Sequence, residues 1–189
     1  CIRSSLKPFQ AAASIASGAT KTARFNRKEI ALMCASHNGE AIHVETAMGM
    51  ANKLGFNLTH YECGSHPPHD KGSREEARKS NTIFTPLYNN CSGKHSGMLS
   101  LAKKLNIEPN GYTQINHPVQ QAIFQQLTKL TEYSYFSHGI DGCSAPTPFL
   151  SLKTIAILYQ KLGSRKYPEL TEAYEAMSKH PYLVGGKNR

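Results

Sequence analysis

The stretch NNCSGKHSGM, Asn89–Met98, brings a thiol, an amine and an imidazole together around two glycines. The apolar spacing that follows predicts a helix from about Gly93 to Leu105. A Walker-type phosphate loop needs more residues between its glycines and a Ser or Thr after its lysine, so phosphate binding of that kind is excluded. The stretch therefore indicates a loop that carries polar groups into a helix, which is where functional residues concentrate.

Helical periodicity also dominates the chain on either side of this stretch. Further helices are predicted over residues 5–17, 26–35, 43–54, 118–130, 148–162 and 168–179. Asn26 and Glu29 have the spacing of a capping box, and Gly55 and Gly163 are expected to end two of the helices. Strand candidates are scarce, the best being TIFTP at 82–86 and YSYF at 133–136. We therefore expect a mainly helical α+β chain.

Size and composition limit the classes of protein. The 189 residues are enough for one domain with a core, and a hydrophobic fraction of 39% excludes a disordered chain. The net charge of +9 permits nucleic-acid binding. The basic residues are scattered, however, and Glu75 and Glu76 interrupt their one cluster, so a solvated face is favoured and no nucleic-acid partner is expected. No apolar run approaches the ~20 residues of a membrane span, so no membrane partner is expected either.

The cysteines are odd in number and widely spaced, at positions 1, 34, 63, 91 and 143. This pattern does not resemble a disulfide framework, and it favours a reducing compartment, the cytoplasm. Most of these residues would then be small buried hydrophobes. Cys1 as a processed N-terminal nucleophile is a remote alternative, because nothing near it supplies the context of such a motif.

Ser4 and Lys7 are spaced so that their side chains share one face of a helix. A serine hydroxyl becomes a nucleophile when a base takes its proton, and a lysine is such a base when burial or a neighbouring cation, here Arg3, lowers its pKa. The same spacing recurs at Ser100 and Lys103 inside an amphipathic helix. The pattern alone is therefore weak evidence for catalysis.

Two further clusters carry polar groups on turns. CASHNGE, residues 34–40, places Ser36 at an expected helix end, where C-capping by Asn38 and Gly39 is the alternative interpretation. HGIDGCSAPTPF, residues 138–149, places Asp141 and Cys143 on a glycine-containing turn. Cys91 and Cys143 are able to share a metal ion, although the chain has no C-x-x-C pair to support this.

Taken together, these motifs resemble a known family. In chain order RSSLKPFQ, CASHNGE, CGSHP, NNCSGKHSGM, DGCSAPT and HPYLVGG are similar to the asparaginase II family, the Rhizobium etli-type or class 3 L-asparaginases. The resemblance implies hydrolysis of L-asparagine to L-aspartate and ammonia. It also implies a fold like that of serine β-lactamases and penicillin-binding proteins, and a homodimer.

The resemblance also implies a set of site residues. The nucleophile would be Ser4, with Lys7 as its base and Ser36 as a second catalytic serine. A zinc ion, Zn²⁺, would be held by Cys91, Lys94 and Cys143, although lysine is a rare ligand because it must first lose its proton. The polar residues that would contact the substrate are Arg3, His95 and Asp141.

The chain departs from the family in two ways. Family members have a strand-forming segment before R-S-x-x-K, and a C-terminal part after HPYLVGG that holds the lysine partner of Ser36. Residues 1–189 are therefore expected to form a single, incomplete domain with part of its sheet missing. Two alternatives stay open: a zinc-binding homologue without activity, and the same acyl-enzyme machinery acting on glutamine or a β-lactam.

Overall fold

The computed structural model describes residues 2–187, which are mainly helical with a small sheet. The α-helices are α1 (Lys7–Ala16), α2 (Ala19–Thr22), α3 (Arg27–Met33), α4 (Ala41–Leu54), α5 (Lys71–Lys79), α6 (Ser92–Leu105), α7 (Pro118–Thr131), α8 (Leu152–Ser164), α9 (Pro168–Lys179) and α10 (Pro181–Val184). Short 3₁₀ helices cover Arg3–Leu6, Leu58–His60 and Pro86–Tyr88. Strands β1 (His138–Ile140) and β2 (Pro146–Pro148) pair antiparallel, with Gly139 opposite Thr147.

Helix α6 lies at the centre of the fold. It packs against α1, α2, α3, α4 and α7, and its residues from Ser92 to Ala102 are all buried. Helix α1 is buried from Lys7 to Ile15. These two helices therefore carry polar side chains such as Lys7 and Lys94 into the interior, where a charge needs a partner.

The two glycines of the opening stretch allow α6 to pack closely against α3. A Cβ atom added to Gly93 would lie 2.2 Å from the carbonyl oxygen of Leu32, and one added to Gly97 would lie 2.7 Å from Cε of Met33. Any side chain at position 93 would therefore push the start of α6 away from the end of α3. This contact sets the position of Cys91 and Lys94 relative to residues 35–37.

Most of the predicted helices are confirmed. The Asn26 side chain accepts a hydrogen bond from Glu29 N, and Glu29 Oε2 accepts one from Asn26 N at 2.6 Å, so the predicted capping box is present. Gly55 ends α4 in the left-handed conformation, as expected. The helix predicted from residue 5 begins as a 3₁₀ turn and becomes α-helical at Lys7.

Both strand predictions are wrong. Residues 82–86 form no strand and lead into the 3₁₀ helix Pro86–Tyr88, while residues 133–136 precede the real hairpin. That hairpin is closed by its own turn, in which Ser144 N donates to Asp141 O and Asp141 N donates to Ala145 O. Its three-residue strands are too short to show an alternating pattern, so the turn rather than the hydrophobicity decides where they lie.

Two helix predictions need correction. Helix α8 begins four residues after Pro148, because Pro148 is paired in β2 and Ser151 caps the helix by accepting from Thr154 N at 3.1 Å. Gly163 lies inside α8 and does not end it.

The hydrophobic periodicity missed α5, since Ala77 is the one buried residue of this helix. Asp70 caps this polar helix by accepting from Ser73 N at 2.7 Å.

No helix within residues 2–187 combines the length and apolar character that a membrane crossing requires.

Candidate active site and metal centre

An open pocket of about 230 Å³ lies where the start of the chain, the loops before α6 and the β1–β2 hairpin meet. Its walls are formed by Arg3 and Ser4, by His66 and His69, by residues 89–91 and by residues 141–143. The fold thus brings parts of four sequence motifs to one place, with Arg3 and Asp141 in contact although 138 positions separate them. Behind this wall lie four further predicted site residues: Lys7, Ser36, Lys94 and His95.

Ser4 is exposed on the pocket wall and is paired with the second predicted serine. Its hydroxyl lies 3.4 Å from Ser36 Oγ and donates to it, and Ser36 Oγ also accepts from Asn90 Nδ2 at 3.2 Å. The 3₁₀ turn places Ser4 at the surface and turns Lys7 inward. The two serines that the resemblance assigns to catalysis therefore lie side by side, and their catalytic role stays a prediction.

Lys7 is buried directly behind the serines, with 1% of its surface exposed. Its ammonium group donates to Ala35 O and, at 3.2 Å, to Asn90 O, whereas Ser4 pairs with Ser36. Burial lowers the pKa of Lys7, and the nearby Cys91 thiol opposes part of this shift. Burial thus favours the neutral amine, which is the form that acts as a base.

The second Ser-x-x-Lys pattern has a purely structural arrangement. Ser100 Oγ donates to Gly97 O at 2.7 Å within α6, and Lys103 Nζ donates to Leu54 O at 2.6 Å at the end of α4. Both groups are used to satisfy backbone carbonyls. Ser100 and Lys103 therefore have structural contacts only, as expected for residues of an amphipathic helix.

Arg3 and Asp141 form an ion pair across the pocket. Arg3 Nε and Nη2 lie 3.0 and 2.9 Å from Asp141 Oδ1. Burial would raise the pKa of Asp141, but the Gly142 N–H, Lys94 and Arg3 outweigh it and lower that pKa. The site therefore presents a fixed carboxylate beside an exposed guanidinium.

Cys91, Asp141 and Cys143 form a cluster of possible metal ligands. One atom of each, the two Sγ atoms and a carboxylate oxygen, lies within 4.8 Å of the others. Lys94 Nζ is 2.8 Å from Cys143 Sγ. All three predicted zinc ligands therefore lie in one cluster, to which the structure adds the Asp141 carboxylate.

Within this cluster the electrostatics favour the thiolate form at Cys91 and the thiol form at Cys143. The hydrogen bond between the thiols lowers the pKa of Cys91 to about 5 and raises that of Cys143. Burial lowers the pKa of Lys94, but Cys91 and Cys143 outweigh it, so the pKa is raised. Lys94 is thus a cation between thiols in this arrangement, and it has to lose its proton to bind a metal.

His95 is enclosed behind the cluster and does not line the pocket. Its Nδ1 is hydrogen-bonded to the Tyr112 hydroxyl, and the ring is also hydrogen-bonded to the Cys143 side chain. Burial lowers the pKa of His95, and the nearby Cys143 thiol offsets part of that shift. His95 is therefore held between Tyr112 and Cys143, one of the predicted zinc ligands. Contact of His95 with a substrate stays a prediction.

Sequence reasoning assigned no role to three residues that surround Asn90. His66 Nε2 accepts from Asn90 N at 3.1 Å, and its ring lies 4.7 Å from that of His69. His37 N donates to Asn90 O at 3.3 Å, while His37 Nε2 lies 2.9 Å from Ser92 Oγ. The motifs contained these histidines, but only the fold shows that they face the segment 90–92.

The alternative interpretation of CASHNGE is wrong. Helix α3 ends at Met33 with Cys34 as its C-cap, so Asn38 and Gly39 lie too far along the chain to cap it. Asn38 O instead accepts from the backbone N–H groups of His69 and Asp70. The segment after α3 is therefore a loop that fixes the histidine-bearing wall of the pocket.

Comparison with known proteins identifies the family. A search of curated proteins finds no match. The family model described as L-asparaginase II matches residues 1–189, which is the whole sequence. This match includes every motif that meets at the pocket, and the family is one of amidohydrolases. The chain belongs to the L-asparaginase II family.

Proposed function

We propose that this protein hydrolyses L-asparagine to L-aspartate and ammonia through an acyl-enzyme formed on Ser4. The observation that carries the proposal is the position of Ser4 on the pocket wall with Lys7 buried behind it. Family membership supports the choice of an amide substrate. An exposed hydroxyl next to a lysine whose pKa is lowered is the arrangement that serine–lysine catalysis requires.

In the proposed first step, neutral Lys7 accepts the Ser4 proton, either directly or through the Ser36 hydroxyl, to which Ser4 donates. The Ser4 oxygen then bonds to the side-chain amide carbon of asparagine. The C–N bond breaks, and the leaving nitrogen takes the proton back from Lys7 to depart as ammonia. Water then hydrolyses the ester, giving aspartate and restoring the Ser4 hydroxyl.

Arg3 and Asp141 are the proposed contacts for the amino-acid end of the substrate. A guanidinium binds a carboxylate through paired hydrogen bonds, and a carboxylate accepts from an ammonium group. The two residues face the same pocket as Ser4 and already pair with each other. An α-amino acid presents both charges, so it has the groups to engage Arg3 and Asp141 together. His95 is proposed as a further polar contact by family resemblance only.

Cys91, Lys94 and Cys143 are the proposed zinc ligands, with Asp141 within reach of the same cluster. When bound there, zinc would supply positive charge that orients polar groups of the substrate. The depressed pKa of Cys91 supports a centre of this kind. The Ser4 nucleophile does not depend on it for activation, because Lys7 is present as a base.

The other family expectations are part of this proposal. They are a β-lactamase-like fold, a homodimer and a cytoplasmic location, the last supported by the free thiols of Cys34, Cys63, Cys91 and Cys143.

Ammonia release from L-asparagine tests the proposal. Ser4→Ala should lower kcat by about 10³-fold or more, because it removes the group that forms the covalent bond. Wild-type turnover by Ser4→Ala would refute the assignment. The kcat/KM values for asparagine, glutamine and a β-lactam, measured on the same protein, decide which of the three is the preferred substrate.

The second candidate function is a zinc-binding homologue without activity, which is favoured by a thiol cluster that forms independently of Ser4. Stoichiometric zinc without turnover on any of these amides would establish it in place of the hydrolase.

A further inference from the structure

Asn90 connects the two serines, the lysine and the metal cluster. Its side-chain Nδ2 donates to Ser36 Oγ at 3.2 Å, and its backbone carbonyl accepts from Lys7 Nζ, also at 3.2 Å. Its backbone N–H donates to His66 Nε2 at 3.1 Å, and the next residue is Cys91. Asn90 therefore contacts Ser36, Lys7 and His66 through three different polar groups, and it directly precedes the predicted ligand Cys91.

The Asn90 side chain determines how the serine hydroxyls are oriented. Ser36 Oγ accepts from both Asn90 Nδ2 and Ser4 Oγ, and a hydroxyl oxygen has two lone pairs, so both are used. The Ser4 hydrogen is thereby directed toward Ser36 and away from the pocket. The lone pairs of Ser4 are left to face a substrate carbonyl carbon.

The neighbouring Asn89 has a different set of contacts. Its Nδ2 donates to Cys63 O at 2.8 Å, and its Oδ1 accepts from Cys91 N at 2.9 Å. Both partners of the Asn89 side chain are backbone groups. These two bonds hold the turn that presents the Cys91 thiol. The Asn89 side chain therefore supports the metal-ligand turn, whereas the Asn90 side chain contacts the Ser36 hydroxyl.

We infer that Asn90 is a positioning residue for the reaction: it holds Ser36 as the hydroxyl that takes the Ser4 proton and gives its own to neutral Lys7, while Asn89 maintains the metal-ligand turn. This inference rests on the proposed function, since it assumes that Ser4 is the nucleophile. It assigns Asn90 a role in the chemical step and not in metal binding. The backbone contacts of Asn90 with Lys7 and His66 do not depend on its side chain.

The test uses Asn90→Leu, which keeps the number and branching of the side-chain heavy atoms but removes the donor, and Asn90→Ala as a second variant. Both should lower kcat for asparagine by about 10²-fold, because a misoriented reacting group costs this much, with little change in KM. Both should retain the zinc content and melting temperature of the wild type. Asn89→Ala is the comparison variant: it should lower the zinc content, which neither Asn90 variant should do.

A second readout is independent of asparagine turnover. Phenylmethanesulfonyl fluoride forms a sulfonyl ester with an activated serine and releases fluoride, and peptide mass analysis locates the label. We expect labelling of Ser4 in the wild type, slowed in Asn90→Leu by the same factor as kcat. Labelling at the wild-type rate in Asn90→Leu, or loss of zinc along with activity in that variant, would overturn the inference. Absence of Ser4 labelling in the wild type, with full activity in Ser4→Ala, would instead refute the proposed function.

Discussion

The substitution Gly93→Ala tests the claim that close packing of α6 on α3 builds the site. A Cβ at this position would lie 2.2 Å from Leu32 O and 2.5 Å from Leu32 C, whereas ordinary contact begins at 3.4 Å. The two backbones would have to separate by about 1.2 Å, because neither is a flexible side-chain end. The backbone at Gly93 is not in the left-handed conformation, so the expected effect of Gly93→Ala is steric.

The expected cost follows from this displacement. Overpacking of a core costs about 1–3 kcal/mol, and a clash with a backbone carbonyl belongs at the upper end. For a chain of this size about 3 kcal/mol corresponds to a fall in melting temperature of roughly 6–12 °C. Since Cys91 and Lys94 would move with α6, we also expect a loss of about 10²-fold in kcat/KM.

Two other glycines provide matched controls in the thermal melt and the ammonia assay. Gly97→Ala meets the flexible end of Met33 at 2.7 Å and should cost less than Gly93→Ala. Gly163→Ala has nothing within 4 Å inside α8 and should stabilise by about 0.5–1 kcal/mol. A Gly93→Ala protein that melts and turns over like the wild type would refute the packing argument, as would an order in which Gly163→Ala is the most damaging.

Three further predictions concern the cap, the metal and a buried thiol. Asn26→Ala removes the capping box of α3 and should lower the free energy of unfolding by about 1 kcal/mol, measured by urea titration; an unchanged midpoint would contradict this. A chelator should lower the melting temperature, and added zinc should restore it in proportion to the logarithm of its concentration, but not in Cys143→Ser; equal responses of both proteins would count against the cluster. Burial raises the pKa of Cys34 to about 12, so at pH 8 about 10⁻⁴ of it is thiolate and iodoacetamide should modify it only after unfolding. Rapid modification of Cys34 in the folded protein would show that this thiol is accessible.

The sequence predicted the helices that have strong local signals. The Asn26 cap and the Gly55 terminus depend on residues three or four positions apart, so they are readable from the chain. The hairpin was missed because its strands are three residues long and are placed by the Asp141 turn. Helix α5 was missed because a helix with one buried residue has no apolar stripe to detect.

The members of the proposed site were expected from the family resemblance, but their contacts were not. The motifs named Ser4, Lys7 and Ser36, yet only the fold shows that Ser4 donates to Ser36 while Lys7 donates to backbone carbonyls. The function of the glycine at position 93 depends on Leu32, which lies 61 positions earlier, so no local pattern reveals it. Asn90 was overlooked for the same reason.

The location of the covalent intermediate tests the central claim most directly. The protein would be mixed with L-asparagine, quenched in acid during steady-state turnover, digested, and its peptides weighed by mass spectrometry, with Ser4→Ala in parallel. We predict an aspartyl ester on Ser4 in the wild type, and neither ester nor ammonia release in Ser4→Ala. An ester on Ser36 or on another residue, or full turnover by Ser4→Ala, would contradict the account.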